Sequence, residues 1–148
     1  MKGSGSILLV ENDRDDVDVA LRALRRLGLD AAVDVARDGQ EALEVLGLES
    51  APSEGIRRPR VVFLDLKMPR IDGWEVLRRI REAPGTANLP VVVMSSSDRE
   101  VDVARCYELG ANSFIRKHFD PRSPGQYIAE AARYWLEVNR PPPARSHA

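Results

Sequence analysis

The chain predicts an α/β fold, a doubly wound parallel sheet of five strands with five helices on its faces. Three observations carry this. Short apolar runs rich in β-branched residues recur along the sequence, and continuous runs of that kind suit strands buried on both faces. Segments with apolar residues at helical spacing separate these runs in strict strand–helix order. The 148 residues, 43% of them hydrophobic, can build one sizeable core but are too few for two ordinary domains.

Each element has its own signal. Ile7-Leu8-Leu9-Val10 is the first strand. Val17, Ala20, Leu21, Leu24 and Leu27 form the apolar face of the first helix, with Gly28 as its stop. Ala31 to Val35 reads as the second strand, and Asp38 can cap a helix carrying Ala42, Leu43 and Leu46. Gly47 to Pro59, rich in Gly, Pro, Ser and charge, predicts a long surface loop. Arg60 to Leu64 is the third strand, and Trp74, Leu77 and Ile80 mark the third helix. Pro90 to Met94 is the fourth strand. Val101, Ala104 and Leu109 mark the fourth helix, capped at its start by Ser97 or Asp98 and ended by Gly110. Ser113 to Arg116 is a weaker fifth strand. Ile128, Ala131, Ala132 and Trp135 mark the last helix. Residues 1–6 and 140–148, the latter with Pro141-Pro142-Pro143, are expected to be flexible ends around a domain over 7–139.

Composition excludes several function classes. Lys and Arg total 22 against 23 Asp and Glu, a net charge of −1, which argues against a bulk nucleic-acid binder. One cysteine, Cys106, allows no internal disulfide and no cysteine metal cluster. No apolar run is long enough for a membrane span or a signal peptide core, so a cytoplasmic protein with no membrane partner is the expectation. Only Lys2, Lys67 and Lys117 are lysines; the other 19 basic residues are arginines. Lysine offers a compact point charge where arginine offers a planar fork, so the two interior lysines stand out.

In open parallel sheets ligands bind beyond the carboxyl ends of the strands. There the chain places Glu11-Asn12-Asp13, then Asp65, then Ser95-Ser96-Ser97, then Lys117-His118. Clustered carboxylates call for a divalent cation, and all-oxygen ligands suggest Mg²⁺. A lysine and a hydroxyl opposite would bind phosphoryl oxygens, and a central carboxylate, best placed at Asp65, could be the nucleophile that forms an aspartyl phosphate.

Four motifs in this order resemble the receiver domain of two-component response regulators: Leu8-Leu9-Val10-Glu11; Leu64-Asp65-Leu66-Lys67-Met68-Pro69 with Asp72-Gly73; Pro90-Val91-Val92-Val93-Met94-Ser95; and Gly110-Ala111-Asn112-Ser113-Phe114-Ile115-Arg116-Lys117. The ending Tyr134-Trp135-Leu136-Glu137-Val138-Asn139 is further similar to stand-alone regulators serving bacterial phytochromes. The resemblance implies a flavodoxin-like sheet of order 2-1-3-4-5. It implies Asp65 as phosphoacceptor from a sensor histidine kinase, of which a phytochrome is one candidate. It also implies Mg²⁺ held by Glu11, Asn12, Asp65 and the backbone carbonyl of Lys67, with Asp13 as a further candidate. Ser95 and Lys117 would bind the phosphoryl group, and Ser95 with Phe114 would form the switch. Output would be contact with a downstream protein or onward phosphotransfer, since no further module follows.

The chain departs from that pattern twice. The second acid after the first strand is replaced by Asn12, with Asp13 one residue later; Asp13 either reaches the metal or only caps the first helix. The proline after the family's lysine, joined by a cis peptide, is replaced by His118. A cis bond there costs roughly 3–4 kcal/mol, so the loop either holds that strain or is trans. The departures leave open an adaptor of the same fold that does not depend on phosphate. An aspartyl-phosphate phosphohydrolase is disfavoured, because Lys67 stands where such enzymes carry a second aspartate. The last helix shows two apolar stripes. They are Ile128, Ala132 and Trp135, and Tyr127, Ala131, Tyr134 and Val138; one should face the sheet, and the other is either a homodimer or partner face or a wider buried face.

Overall fold

Residues 6–49, 58–118 and 120–143 are described in the computed structural model. The expected loop over 47–59 therefore falls largely outside them, as do the outer parts of both ends. Five parallel strands, β1 (Ile7–Val10), β2 (Val33–Ala36), β3 (Val61–Asp65), β4 (Val91–Ser95) and β5 (Ser113–Arg116), form one sheet in the order β2-β1-β3-β4-β5. The helices are α1 (Arg14–Arg26), α2 (Gly39–Val45), α3 (Gly73–Glu82), α4 (Glu100–Glu108) and α5 (Gln126–Arg133).

Alternation along the central strands divides the core in two. Leu8, Val10, Val62, Leu64, Val91 and Val93 point to one face, where they meet Ala42 and Leu43 of α2, Val76, Leu77 and Ile80 of α3, and Cys106 of α4. Ile7, Leu9, Val61, Phe63, Val92 and Met94 point to the other, against Ala20, Ala23 and Leu24 of α1 and Ile128 and Ala132 of α5. This is why the strand runs carry no polar alternation: both faces are covered. Each fully buried Leu, Ile or Phe contributes roughly 1.5–3 kcal/mol of transfer free energy, so the sheet is a rigid platform for whatever its carboxyl edge holds.

Three local expectations need correction. The second strand begins at Val33, because Asp30–Ala32 closes a 3₁₀ turn first, Ala32 donating to the Leu29 carbonyl at 3.0 Å. The last α-helix ends at Arg133; Tyr134–Val138, including Trp135, forms a π-helical turn in which the Asn139 amide donates to the Tyr134 carbonyl. Neither Ser97 nor Asp98 caps α4. Its N-cap is Arg99, whose side chain makes no capping bond, while the carboxylate of Asp98 lies 3.7 Å from Arg116.

The expected caps elsewhere are in place. Asp13 and Asp38 accept from the amides of Asp16 and Glu41 at the starts of α1 and α2, and Asp72, for which no cap was expected, accepts from the Glu75 amide at the start of α3. Arg81 ties the opposite edge together, donating from α3 to the carbonyls of Leu89 at 2.7 Å and Gly110 at 2.8 Å and to Asn112 Oδ1 at 2.7 Å. Among the described residues no helix is long and apolar enough to cross a membrane.

Candidate functional site

The strand ladders continue one residue past β1 and β5, and this continuation positions two charged side chains. The Glu11 amide donates to the Ala36 carbonyl at 3.0 Å, and the Lys117 amide donates to the Ser95 carbonyl at 2.7 Å. Asp65 and Ser95 are themselves the last residues of β3 and β4. All four are buried: Glu11 is 1% exposed, Ser95 3%, Asp65 6% and Lys117 7%. Four polar side chains at one edge of an apolar sheet need mutual satisfaction, because an unpaired buried charge is costly.

Lys117 provides it. Its ammonium lies 2.9 Å from Glu11 Oε1, 2.9 Å from Asp16 Oδ2 and 3.3 Å from Asp65 Oδ1. Burial opposes its charge, but the carboxylates of Asp65 and Glu11 and the bond to Asp16 outweigh this and raise its pKa. Glu11 is pushed up to about 7, by burial first and by the neighbouring Asp65 charge second. Asp65 is also raised by burial, against the pull of Lys117 and a hydrogen bond with Glu11. One ammonium thus leaves the Glu11–Asp65 pair under-compensated.

The β3–α3 connection brings its backbone close to the same pocket. A Cβ at Gly73 would come within 2.3 Å of the Asp65 carbonyl oxygen, so only glycine lets α3 start there. The amide of Lys67 points a hydrogen bond at the Asp65 carboxylate, while the Lys67 side chain is exposed. Ser95 Oγ accepts from the Ser97 amide at 3.1 Å. Phe114 is half-buried on β5 and packs against the α2–α3–α4 core.

The structure gathers Glu11, Asp65, Ser95 and Lys117, and it leaves two expected residues at the rim. Asn12 is exposed, its amide nitrogen 3.5 Å from the Arg37 carbonyl. Asp13 is exposed and caps α1, and its own amide donates to Glu11 Oε2 at 3.0 Å. Asp16 gives no signal in the sequence, because acids in a first helical turn are what the helix dipole favours anyway. Helical side chains lean toward the N-terminus, however, and this brings its carboxylate to Lys117 and to His118 Nε2, 2.7 Å away. The Lys117–His118 peptide is trans, and His118 adopts a left-handed φ of 53°.

Among the described residues no group of three or more His, Cys, Asp or Glu side chains is arranged to hold a metal ion. The donor set nevertheless suits Mg²⁺, which keeps several waters and needs only one or two carboxylates. The under-compensated pair of Glu11 and Asp65 meets that requirement.

Comparisons with known proteins agree with this fold. The family model for the response regulator receiver domain matches residues 7–128. The "Probable methanogenesis regulatory protein FilR2" of Methanothrix harundinacea is 35% identical over 92% of this chain and 86% of its own length. Response regulator Rcp1 of Synechocystis is 33% identical over 89% of each chain, and its Mn²⁺-bound crystal structure superposes with a TM-score of 0.81 over 93% of this chain and 98% of that one. The phosphorylated cyanobacterial phytochrome response regulator RcpA has a TM-score of 0.84 and 32% identity, over 95% of this chain and 99% of its own. With its strand order and its carboxyl-edge cluster, the chain belongs to the response regulator receiver domain family, whose members are signalling proteins.

Proposed function

We propose that this protein is a response regulator whose receiver unit, residues 7–139, accepts a phosphoryl group on Asp65 from a phosphohistidine of a sensor histidine kinase. The observation that carries this reading is the buried Asp65 carboxylate at the end of β3, with the Lys117 ammonium 3.3 Å away. One carboxylate oxygen of Asp65 attacks phosphorus, the phosphorus–nitrogen bond of the donor breaks, and the imidazole leaves with the bonding electrons. Lys117 follows the transferred oxygens, and the Ser95 hydroxyl turns from the Ser97 amide toward them. Phe114, packed only partly, then responds to the vacated space and alters the surface that partners read.

Glu11, Asp65 and the Lys67 carbonyl would hold Mg²⁺, with the amide oxygen of Asn12 as a neutral ligand and Asp13 left to cap α1. Such an ion would neutralise charge that develops on the phosphoryl oxygens. The protein is then a phosphoacceptor rather than an enzyme acting on other substrates. The similarity to RcpA, a cyanobacterial phytochrome response regulator, favours a phytochrome as the sensor. A cytoplasmic setting suits a partner kinase, and output runs through a downstream protein, onward phosphotransfer or a homodimer of the last helix.

Incubation with Mg²⁺ and acetyl phosphate tests the reading. The wild type is expected to gain the mass of one phosphoryl group and to change its Trp74 fluorescence, while Asp65→Asn does neither. A wild type that gains no mass refutes the assignment.

A further inference from the structure

His118 adopts a backbone conformation that is uncommon for a residue other than glycine. A φ of 53° lies in the left-handed region, where a residue with a Cβ pays in strain and persists only if its surroundings hold it. Two contacts hold this one. The imidazole Nε2 lies 2.7 Å from Asp16 Oδ1, and the ring stands edge-on to the buried Tyr127 of α5, with centroids 5.2 Å apart and planes at 77°. The other oxygen of the same carboxylate, Asp16 Oδ2, lies 2.9 Å from Lys117 Nζ.

One carboxylate therefore bridges the ring of residue 118 and the ammonium of residue 117. Asp16 is itself anchored, since its amide donates to the capping carboxylate of Asp13 at 3.0 Å. Burial raises the pKa of Asp16, but the bonds from His118 and Lys117 reverse this and leave it below the ordinary value, so the bridge is a charged one. Lys117 lies closer to Asp16 and Glu11 than to Asp65, at 2.9, 2.9 and 3.3 Å. The side of the pocket formed by β1 and α1 thus competes with Asp65 for the Lys117 ammonium.

We propose that Asp16 is a positioning residue which, itself fixed by His118, holds the Lys117 ammonium on the β1–α1 side of the pocket and away from Asp65. The functional part rests on Asp65 being the phosphoacceptor. Lys117 must leave Asp16 to reach the transferred phosphoryl oxygens, so Asp16 is a brake on phosphorylation. His118 acts through Asp16.

The scarcity of lysine makes this measurable. With lysine labelled at ¹⁵Nζ, the full chain has three candidate ammonium signals, from Lys2, Lys67 and Lys117, and only Lys117 is buried among the described residues. Asp16→Asn is expected to shift the Lys117 signal and to speed phosphorylation by acetyl phosphate about fivefold, a typical worth for one partly exposed charged bond. His118→Gln should move both readouts the same way by less. The double variant should match Asp16→Asn alone, because the contact between the imidazole and the Lys117 ammonium runs through the Asp16 carboxylate. Asp16→Glu, which restores the charge, should return the signal toward its wild-type position.

A Lys117 signal unmoved by Asp16→Asn overturns the proposal, as do additive effects of the two variants or a slower reaction in Asp16→Asn. If the wild type takes up no phosphate while Asp16→Asn still shifts the Lys117 signal, the phosphoacceptor reading fails and the positioning of Lys117 by Asp16 stands.

Discussion

Glu11 sets the charge balance of the pocket. Its carboxyl is fully buried, beside Asp65 and against Lys117, and its pKa is raised from 4.5 to about 7. A raised carboxyl pKa is a statement about stability with a definite sign. Protonated Glu11 is the form that the folded pocket prefers, so its contribution is fully present below 4.5 and is lost as pH rises through 7. Asp65 is raised too and acts in the same direction, whereas Asp16 is lowered and matters only at more acid pH. Without divalent cations the wild type is therefore expected to lose on the order of 2 kcal/mol between these limits, roughly 4–8 °C in melting temperature. Glu11→Gln, which mimics the neutral acid, should show a flatter curve and exceed the wild type at pH 8. Thermal melts in chelator across that pH range check this; parallel curves for the two proteins would contradict it.

The elements show how far sequence reading reaches. Strands β1, β3 and β4 were legible because burial on both faces leaves no polar residue in the run, and Asp65 and Ser95 stood out as the first polar residues after it. The start of β2 was not legible, because Ala31-Ala32 satisfies a strand pattern and a tight turn equally well. The end of the last helix was not legible either, since Tyr134 to Val138 keeps an apolar helical spacing while the backbone widens into a π turn. In the site, Asp16 escaped notice for a topological reason. Its neighbours Lys117 and His118 follow β5, a hundred residues away in sequence, and only the order β2-β1-β3-β4-β5 with α1 and α5 on one face brings them together. Arg81 was hidden in the same way, as one arginine among 19. From α3 it binds the loops before β4 and β5, and burial lowers its pKa, so its acceptors would be left unsatisfied without it. Arg81→Ala is expected to cost about 2–3 kcal/mol in a urea melt, and Arg81→Lys should recover only part, because an ammonium cannot reproduce the planar fork.

At the scale of the whole molecule, the near-zero net charge and the outer face of the C-terminal segment belong to one argument. Ile128 and Ala132 are spent on the α1 side of the core, and Trp135 is half-buried against it. Tyr134 and Val138 are not; they are 47% and 71% exposed, and Tyr134 stands edge-on to Trp135 with centroids 5.1 Å apart. A second copy could meet this face by a two-fold contact, with Arg133 and Glu137 of each chain at its rim. A net charge of −1 offers little repulsion against such pairing. The exposed area of two side chains is small against the roughly 800 Å² per partner of a stable interface, so the homodimer should be weak, with a Kd on the order of 10–100 μM. Sedimentation equilibrium is expected to find a monomer at about 1 μM and a substantial dimer fraction at about 200 μM. Tyr134→Glu, which puts a charge at the centre of the contact, should remain monomeric at both concentrations. A wild type that stays monomeric throughout refutes the homodimer.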